Sequence, residues 1–260
     1  MSEDKKESPA VEKEVTGKKV KEVVRLKGIR KVASERLFQS LQVSAQTTVS
    51  GVIEMTEMVK VRQTLLSQEK ETGIHFTYTD LFVKVVAEAL KRHPLLNSSL
   101  IGDEIHIWEN INVGVALAFE VRGGGGNSLV VPVVHDADKK SLLEIHERLS
   151  ELTQKGRNQR LLFKDLADGT FTITNVGVFG GGRIRRTIGT PIINQPEVAI
   201  LDTMSILDTP VARDGQVVIR PMMNYSLTFD HRVVMGQDAN EFLATLQQLM
   251  EEEPSVLLLS

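Results

Sequence analysis

Apolar residues recur at helical spacing in five stretches of the chain and at alternate positions in several shorter ones, which predicts helices interleaved with strands. From Arg30 onward, Val32, Leu37 and Leu41 share a helix face interrupted by charge, leaving Arg30 and Arg36 as exposed or pairing groups. Residues 46–54 alternate weakly, as a strand does, and Thr56-Glu-Met58 opens a second helix with Met58, Val61 and Leu65 inward. A third helix, capped by Thr79 or Asp80, turns Leu81, Phe82, Val85, Val86 and Ala89 inward. It must stop before Pro94, with His93 as its C-terminal capping residue. Residues 111–119 and 129–135 read as strands joined by a glycine-rich loop, Val121 to Asn127. Ser141 and Glu144 form a capping box for a helix carrying Leu142, Ile145, Leu149 and Leu152 on one side. From Met223 to Phe229 apolar residues take every second position, the period of a half-buried strand, and His231 follows at once. A last helix, from about Gln237 to Glu252, bears the stripe Ala239, Phe242, Leu243, Leu246 and Leu249. The chain closes on an apolar tail, Val256 to Leu259, that calls for a partner surface. Residues 1–27, rich in Lys, Glu and Val without a sustained period, read as a flexible tail or linker. The whole is an α/β layered domain whose alternating strands favour antiparallel pairing.

Composition narrows the function more than the fold. With 41% hydrophobic residues, 260 residues suffice for one large core or two smaller ones. A net charge of -3 provides no global basic field for nucleic acid. Zero cysteines exclude disulfides, thiolate metal sites and cysteine nucleophiles, so any thiol in the chemistry comes from outside. No apolar run approaches the ~20 residues of a membrane span, and the acidic start is unlike a presequence, so a cytoplasmic protein is expected.

The candidate chemistry centres on His231. Histidine is the common side chain whose unperturbed pKa, about 6.5, suits it to take and return a proton near neutrality. Beside Asp230 and Arg232 it also reads as a satisfied structural histidine. His75, His93, His106, His135 and His146 form no His-Glu-x-x-His motif, so no metal is expected. No Gly-x-Ser-x-Gly elbow marks a serine hydrolase. The run Gly123 to Gly126 links two strands and lacks the Gly-Lys-Ser/Thr ending of a phosphate loop.

Four ordered motifs carry a resemblance. Asp230-His231-Arg232-Val-Val-Met-Gly236 resembles the Asp-His-Arg-x-x-x-Gly signature of the acyltransferase component of 2-oxo acid dehydrogenase complexes. Residues 169–177, 189–201 and 28–36 resemble that family's catalytic domain in order and spacing, so the likeness covers residues 28–260.

The resemblance implies a chloramphenicol-acetyltransferase-like mixed-sheet α/β fold, trimers packed into a cage, and a catalytic centre between adjacent subunits. It implies acyl transfer between a dihydrolipoyl thiol and coenzyme A, with the lipoyl group on a separate or missing domain. Lipoyl and peripheral-subunit-binding domains are absent from this sequence, and the 2-oxo acid decarboxylase and dihydrolipoyl dehydrogenase would be reached through them. His231 is then the general base, and Thr174, where the family commonly has Ser, the oxyanion donor. Met235 departs from the family Asp or Asn four residues after the histidine, which raises the alternative of a catalytically impaired scaffold. No basic residue in the matched motifs obviously awaits a succinyl carboxylate, so acetyl or branched acyl transfer is expected over succinyl.

Overall fold

The computed structural model describes residues 20–120, 127–177, 188–252 and 254. Most of residues 1–27, the glycine run and the apolar tail lie outside them. The elements run α1 (Gly28–Val43), β1 (Gln46–Glu54), α2 (Thr56–Ser67), α3 (Glu69–Thr72), α4 (Tyr78–Arg92), β2 (Ser98–Ile101), β3 (Glu104–Ile107), β4 (Val113–Glu120), β5 (Asn127–Val130), β6 (Val133–Val134), α5 (Leu142–Arg157), β7 (Phe171–Asn175), β8 (Ala199–Arg213), β9 (Gln216–Asp230) and α6 (Gly236–Glu251).

A mixed sheet organises the domain in the order β1-β9-β8-β7-β4-β5, with β6 also on β4. β7 runs parallel to both β4 and β8, while β8, β9 and β1 pair antiparallel. The register gives the sheet two unlike faces. Val49, Leu227, Leu201, Ile173 and Val115 lie side by side across five strands and belong to the core with α4, α5 and α6. One residue along, the row reads Ser50, Ser226, Asp202, Thr174 and Ala116, so the opposite face is polar. That polar face builds the site.

The helices follow their stripes. Leu81, Phe82, Val85, Val86 and Ala89 of α4, the four expected residues of α5 and the five of α6 are all buried. The cap of α4 lies earlier than expected. Thr77 is the N-cap and Asp80 occupies the third helical position, with the Asp80 carboxylate accepting the Thr77 N–H at 2.7 Å. The same carboxylate lies 3.0 Å from His146 Nδ1, which ties α5 to α4. His93 does end α4, but its ring reaches away to Thr245 Oγ1 of α6 at 2.7 Å.

Two expectations need correction. The apolar face of α1 is not covered among the described residues: Val32, Leu37, Phe38 and Leu41 are all exposed. The helix attaches instead through buried Ser40, whose hydroxyl donates to the Ile193 carbonyl at 2.6 Å. The strand before His231 is buried on both faces from Ser226 to Asp230. Its polar positions go inside because they are small hydroxyls bonded across the ladder, Ser226 to Ser50 at 2.8 Å and Thr228 to Thr48 at 2.7 Å.

Candidate active site

The end of β9 holds His231 by fixing everything around its ring. Asp230, 3% exposed, accepts from Arg232 Nη2 at 2.6 Å, from Arg232 Nε at 3.0 Å, and from the Ala45 and Arg232 backbone amides. Burial pushes the Asp230 carboxyl up, but the Arg232 guanidinium and these amides outweigh it and hold the pKa below the ordinary value. The His231 N–H donates to the Ala45 carbonyl at 2.9 Å, pinning the backbone to the start of β1. The imidazole itself is exposed, packs 5.7 Å from the Phe229 ring, and makes no hydrogen bond among the described residues. Aspartate and arginine therefore satisfy each other and leave the histidine free.

Thr174 sits in a different setting. It is half-buried on β7 between Ala116 of β4 and Asp202 of β8, on the polar face. Its hydroxyl makes no hydrogen bond among the described residues and lines a cleft of about 1010 Å³. The end of β7 is locked: Asn175 Nδ2 donates to Thr79 Oγ1 at 3.2 Å, and its Oδ1 accepts the Gly177 N–H at 3.1 Å. Gly177 lies so close to β8 that an added Cβ would meet the Met204 carbonyl at 2.7 Å. The glycine motif thus serves backbone approach.

Met235 is the N-cap of α6 and is half exposed. Its N–H donates to the Asp238 carboxylate at 2.9 Å. Asp238 is engaged in capping and does not stand in for the polar group that Met235 lacks.

Within one chain His231 and Thr174 are far apart. Thr174 is level with Ser226 through Asp202, two strands away and five residues short of His231. At ~4.8 Å per strand and ~3.3 Å per residue this separation is about 20 Å. The cleft that Thr174 lines does not include His231.

The cleft contains residues that the sequence reading missed. Glu197 and Asp202 are 2% and 3% exposed, and the buried atoms Glu197 Oε2 and Asp202 Oδ1 have no hydrogen-bond partner among the described residues. Burial pushes Glu197 up to about 8, against the Thr172 hydroxyl and the hydrogen bond donated by Asn194 Nδ2 at 2.9 Å. Burial likewise pushes Asp202 up to about 6, against the Val176 amide. The available signal was a carboxylate at each end of the apolar run Val198 to Leu201. Arg36 of α1, expected to be exposed or paired, is exposed and lines the cleft. Among the described residues no cluster of three His, Asp or Glu stands ready to hold a metal, and no helix is long and apolar enough to cross a membrane.

A mixed sheet with a polar working face, a free strand-end histidine and a free hydroxyl in a deep cleft together define an α/β protein equipped for base-assisted group transfer. Residues 18–259 match the model of the 2-oxoacid dehydrogenases acyltransferase (catalytic domain), and the chain belongs to that family. It is 38% identical over 231 residues to the dihydrolipoyllysine-residue succinyltransferase component of the 2-oxoglutarate dehydrogenase complex of Haemophilus influenzae, covering 88% of this chain and 54% of that one. The Bacillus subtilis counterpart is 36% identical over 91% of this chain and 55% of its own. The chain thus spans about half the length of the curated relatives it matches. Among solved structures it resembles a probable dihydrolipoamide acetyltransferase from Listeria monocytogenes, with TM-score 0.80 and 36% identity over 89% of this chain and 95% of that one. It also resembles the dihydrolipoamide acetyltransferase of Azotobacter vinelandii, with TM-score 0.84 and 29% identity over 96% of this chain and 99% of that one. That structure was determined to examine the role of a serine, a histidine and an asparagine in the catalytic mechanism.

Proposed function

We propose that this chain transfers an acyl group between a dihydrolipoyl thiol and coenzyme A, at a site that His231 of one subunit and Thr174 of another build together. The observation that carries the reading is the pairing of a free histidine with a free hydroxyl too far apart to serve one substrate within a chain.

The chemistry follows from the thiol. A free alkyl thiol has a pKa of about 8.5, so only a few per cent is thiolate at neutral pH, and the thiolate is the nucleophile. His231 removes the proton from the coenzyme A sulfur, which attacks the carbonyl carbon of the acyl-dihydrolipoyl thioester. A carbon–sulfur bond forms as the carbonyl oxygen becomes an oxyanion, and the Thr174 hydroxyl donates to it. Collapse breaks the bond to the lipoyl sulfur, which takes the proton back from His231. Coenzyme A and the lipoyl arm, the latter carried on a lipoyl domain, are both substrates, and no step requires a metal. The cleft, about 1010 Å³, is large enough to take a long neutral arm.

The exposed face of α1 supports association, because contiguous exposed apolar side chains of this size mark a contact surface. Trimers assembled into a cage, with a 2-oxo acid decarboxylase and a dihydrolipoyl dehydrogenase as partners, complete the proposal. A cytoplasmic site suits a chain without cysteines.

Two observations read the acyl group differently. The curated relatives reported above are succinyltransferases, and Arg36 gives the cleft one guanidinium. The residues beside Thr174, however, are Asp202 on one side and Ala116 on the other, and a succinyl carboxylate gains nothing from either. We take acetyl or branched acyl as the better reading. The test is acyl transfer from acetyl coenzyme A to free dihydrolipoamide, read as thioester formation. Turnover is expected; none with any acyl donor would leave the scaffold as the function.

A further inference from the structure

We propose that Asp202 determines the acyl specificity of this cleft, admitting neutral acyl groups and opposing those that end in a carboxylate. The inference rests on the transferase reading above and goes beyond it by naming the residue that selects the substrate.

The register makes Asp202 the immediate neighbour of Thr174 across one strand spacing, on the same face of the sheet. An acyl carbon whose oxygen lies at the Thr174 hydroxyl therefore has its tail within reach of the Asp202 carboxylate, about 5 Å away at the level of the Cβ atoms. Asp202 is 3% exposed, and its Oδ1 has no hydrogen-bond partner among the described residues. The carboxylate is packed tightly where it sits. An added Cβ on Gly189 would lie 2.6 Å from its Oδ2, so the glycine leaves room for the charge. With its pKa pushed up to about 6, Asp202 is still mostly ionised at neutral pH, whereas Glu197, pushed up to about 8, is mostly neutral.

The negative charge beside Thr174 thus belongs to Asp202. Beside a carboxylate that is itself 3% exposed, a like charge at such a distance repels more than it would between two fully hydrated groups. A second carboxylate would have to enter protonated, displace Asp202 or lose affinity. An acetyl or branched acyl tail meets no such opposition. Arg36 also lines the cleft, but it is exposed on α1 and is not a strand neighbour of Thr174.

The test measures kcat/KM for acetyl, isobutyryl and succinyl coenzyme A, with free dihydrolipoamide as acceptor, in the wild-type protein and in Asp202→Asn. The expected wild-type preference for acetyl or isobutyryl over succinyl is on the order of tenfold or more. In Asp202→Asn, which keeps the shape and removes the charge, that ratio should fall by a similar factor. Asp202→Ala provides the same readout if the amide disturbs assembly. A wild-type preference for succinyl, or an unchanged ratio in an assembled variant, overturns the proposal while leaving the transferase reading in place. Absence of transfer from every donor would overturn both.

Discussion

The two places where this chain holds free polar groups are built in opposite ways. Around Thr174 the sheet, the cleft and two buried carboxyls are complete within one chain, and the hydroxyl stands half-buried at the bottom. Around His231 the chain completes only the support: Asp230 and Arg232 lock the strand end, and the imidazole is left exposed. If His231 is the general base proposed above, an imidazole exposed to bulk water and ~20 Å from Thr174 is half of a site. On the proposed reading, the difference is between a binding half that one chain preforms and a proton-transfer half that is completed by the cleft of another copy.

The sharpest way to break that comparison is to remove each half. His231→Ala should lower turnover by about 100- to 10,000-fold, the range for loss of a positioned base, with assembly unchanged by light scattering. Thr174→Val, which keeps the branched shape and removes the donor, should cost about 100-fold or more in kcat. Near-normal rates in either assembled variant would remove that residue from the mechanism.

Met235 sharpens the comparison on the exposed side. It sits at the N-cap of α6, half exposed, and Asp238 is already occupied with its backbone amide. Met235→Asp should raise turnover by roughly tenfold, the effect of restoring one hydrogen bond of about 1.5 kcal/mol at the transition state. An unchanged or lower rate in a folded, assembled variant would mean that this protein works without a polar group there.

The smallest effect belongs to the buried side and appears in stability. The folded-state pKa of Glu197, about 8, lies above the ordinary 4.5, so the folded chain holds a proton that the unfolded chain releases. Stability from this group is therefore lost progressively as pH rises from about 4.5 to about 8. Glu197→Gln should flatten that decline in a series of thermal unfolding curves. An identical pH slope in both proteins would show that Glu197 ionises as freely in the fold as out of it.

Much of this was legible in sequence, and the rest was not for physical reasons. The stripes of α4, α5 and α6 were readable because burying one face requires apolar residues at helical spacing, and those faces are covered by the chain itself. Val32, Leu37 and Leu41 carry the same signal on α1, yet no part of the described chain covers them, because spacing reports that a face needs burial and not which molecule supplies it. The cap of α4 was misplaced to Thr79 or Asp80 because Asp80 takes the third position of a capping box begun by Thr77. His231 was visible as a titratable group at a strand end. Asp202 and Glu197 flank a short apolar run and carried no signal of a site on their own, since only the register, which pairs Asp202 with Thr174, makes one of them a neighbour of the hydroxyl.

The central claim is that His231 and Thr174 meet across an interface, and mixed assembly tests it most directly. His231→Ala and Thr174→Ala chains, each inactive alone, would be co-expressed at equal levels and the mixed particles assayed for acyl transfer. If each site takes its histidine from one chain and its hydroxyl from the next, random mixing restores an intact site in about a quarter of interfaces, and activity should return to about a quarter of wild type. Mixed particles as inactive as the separate variants would mean that both groups act within one chain, and would contradict the account.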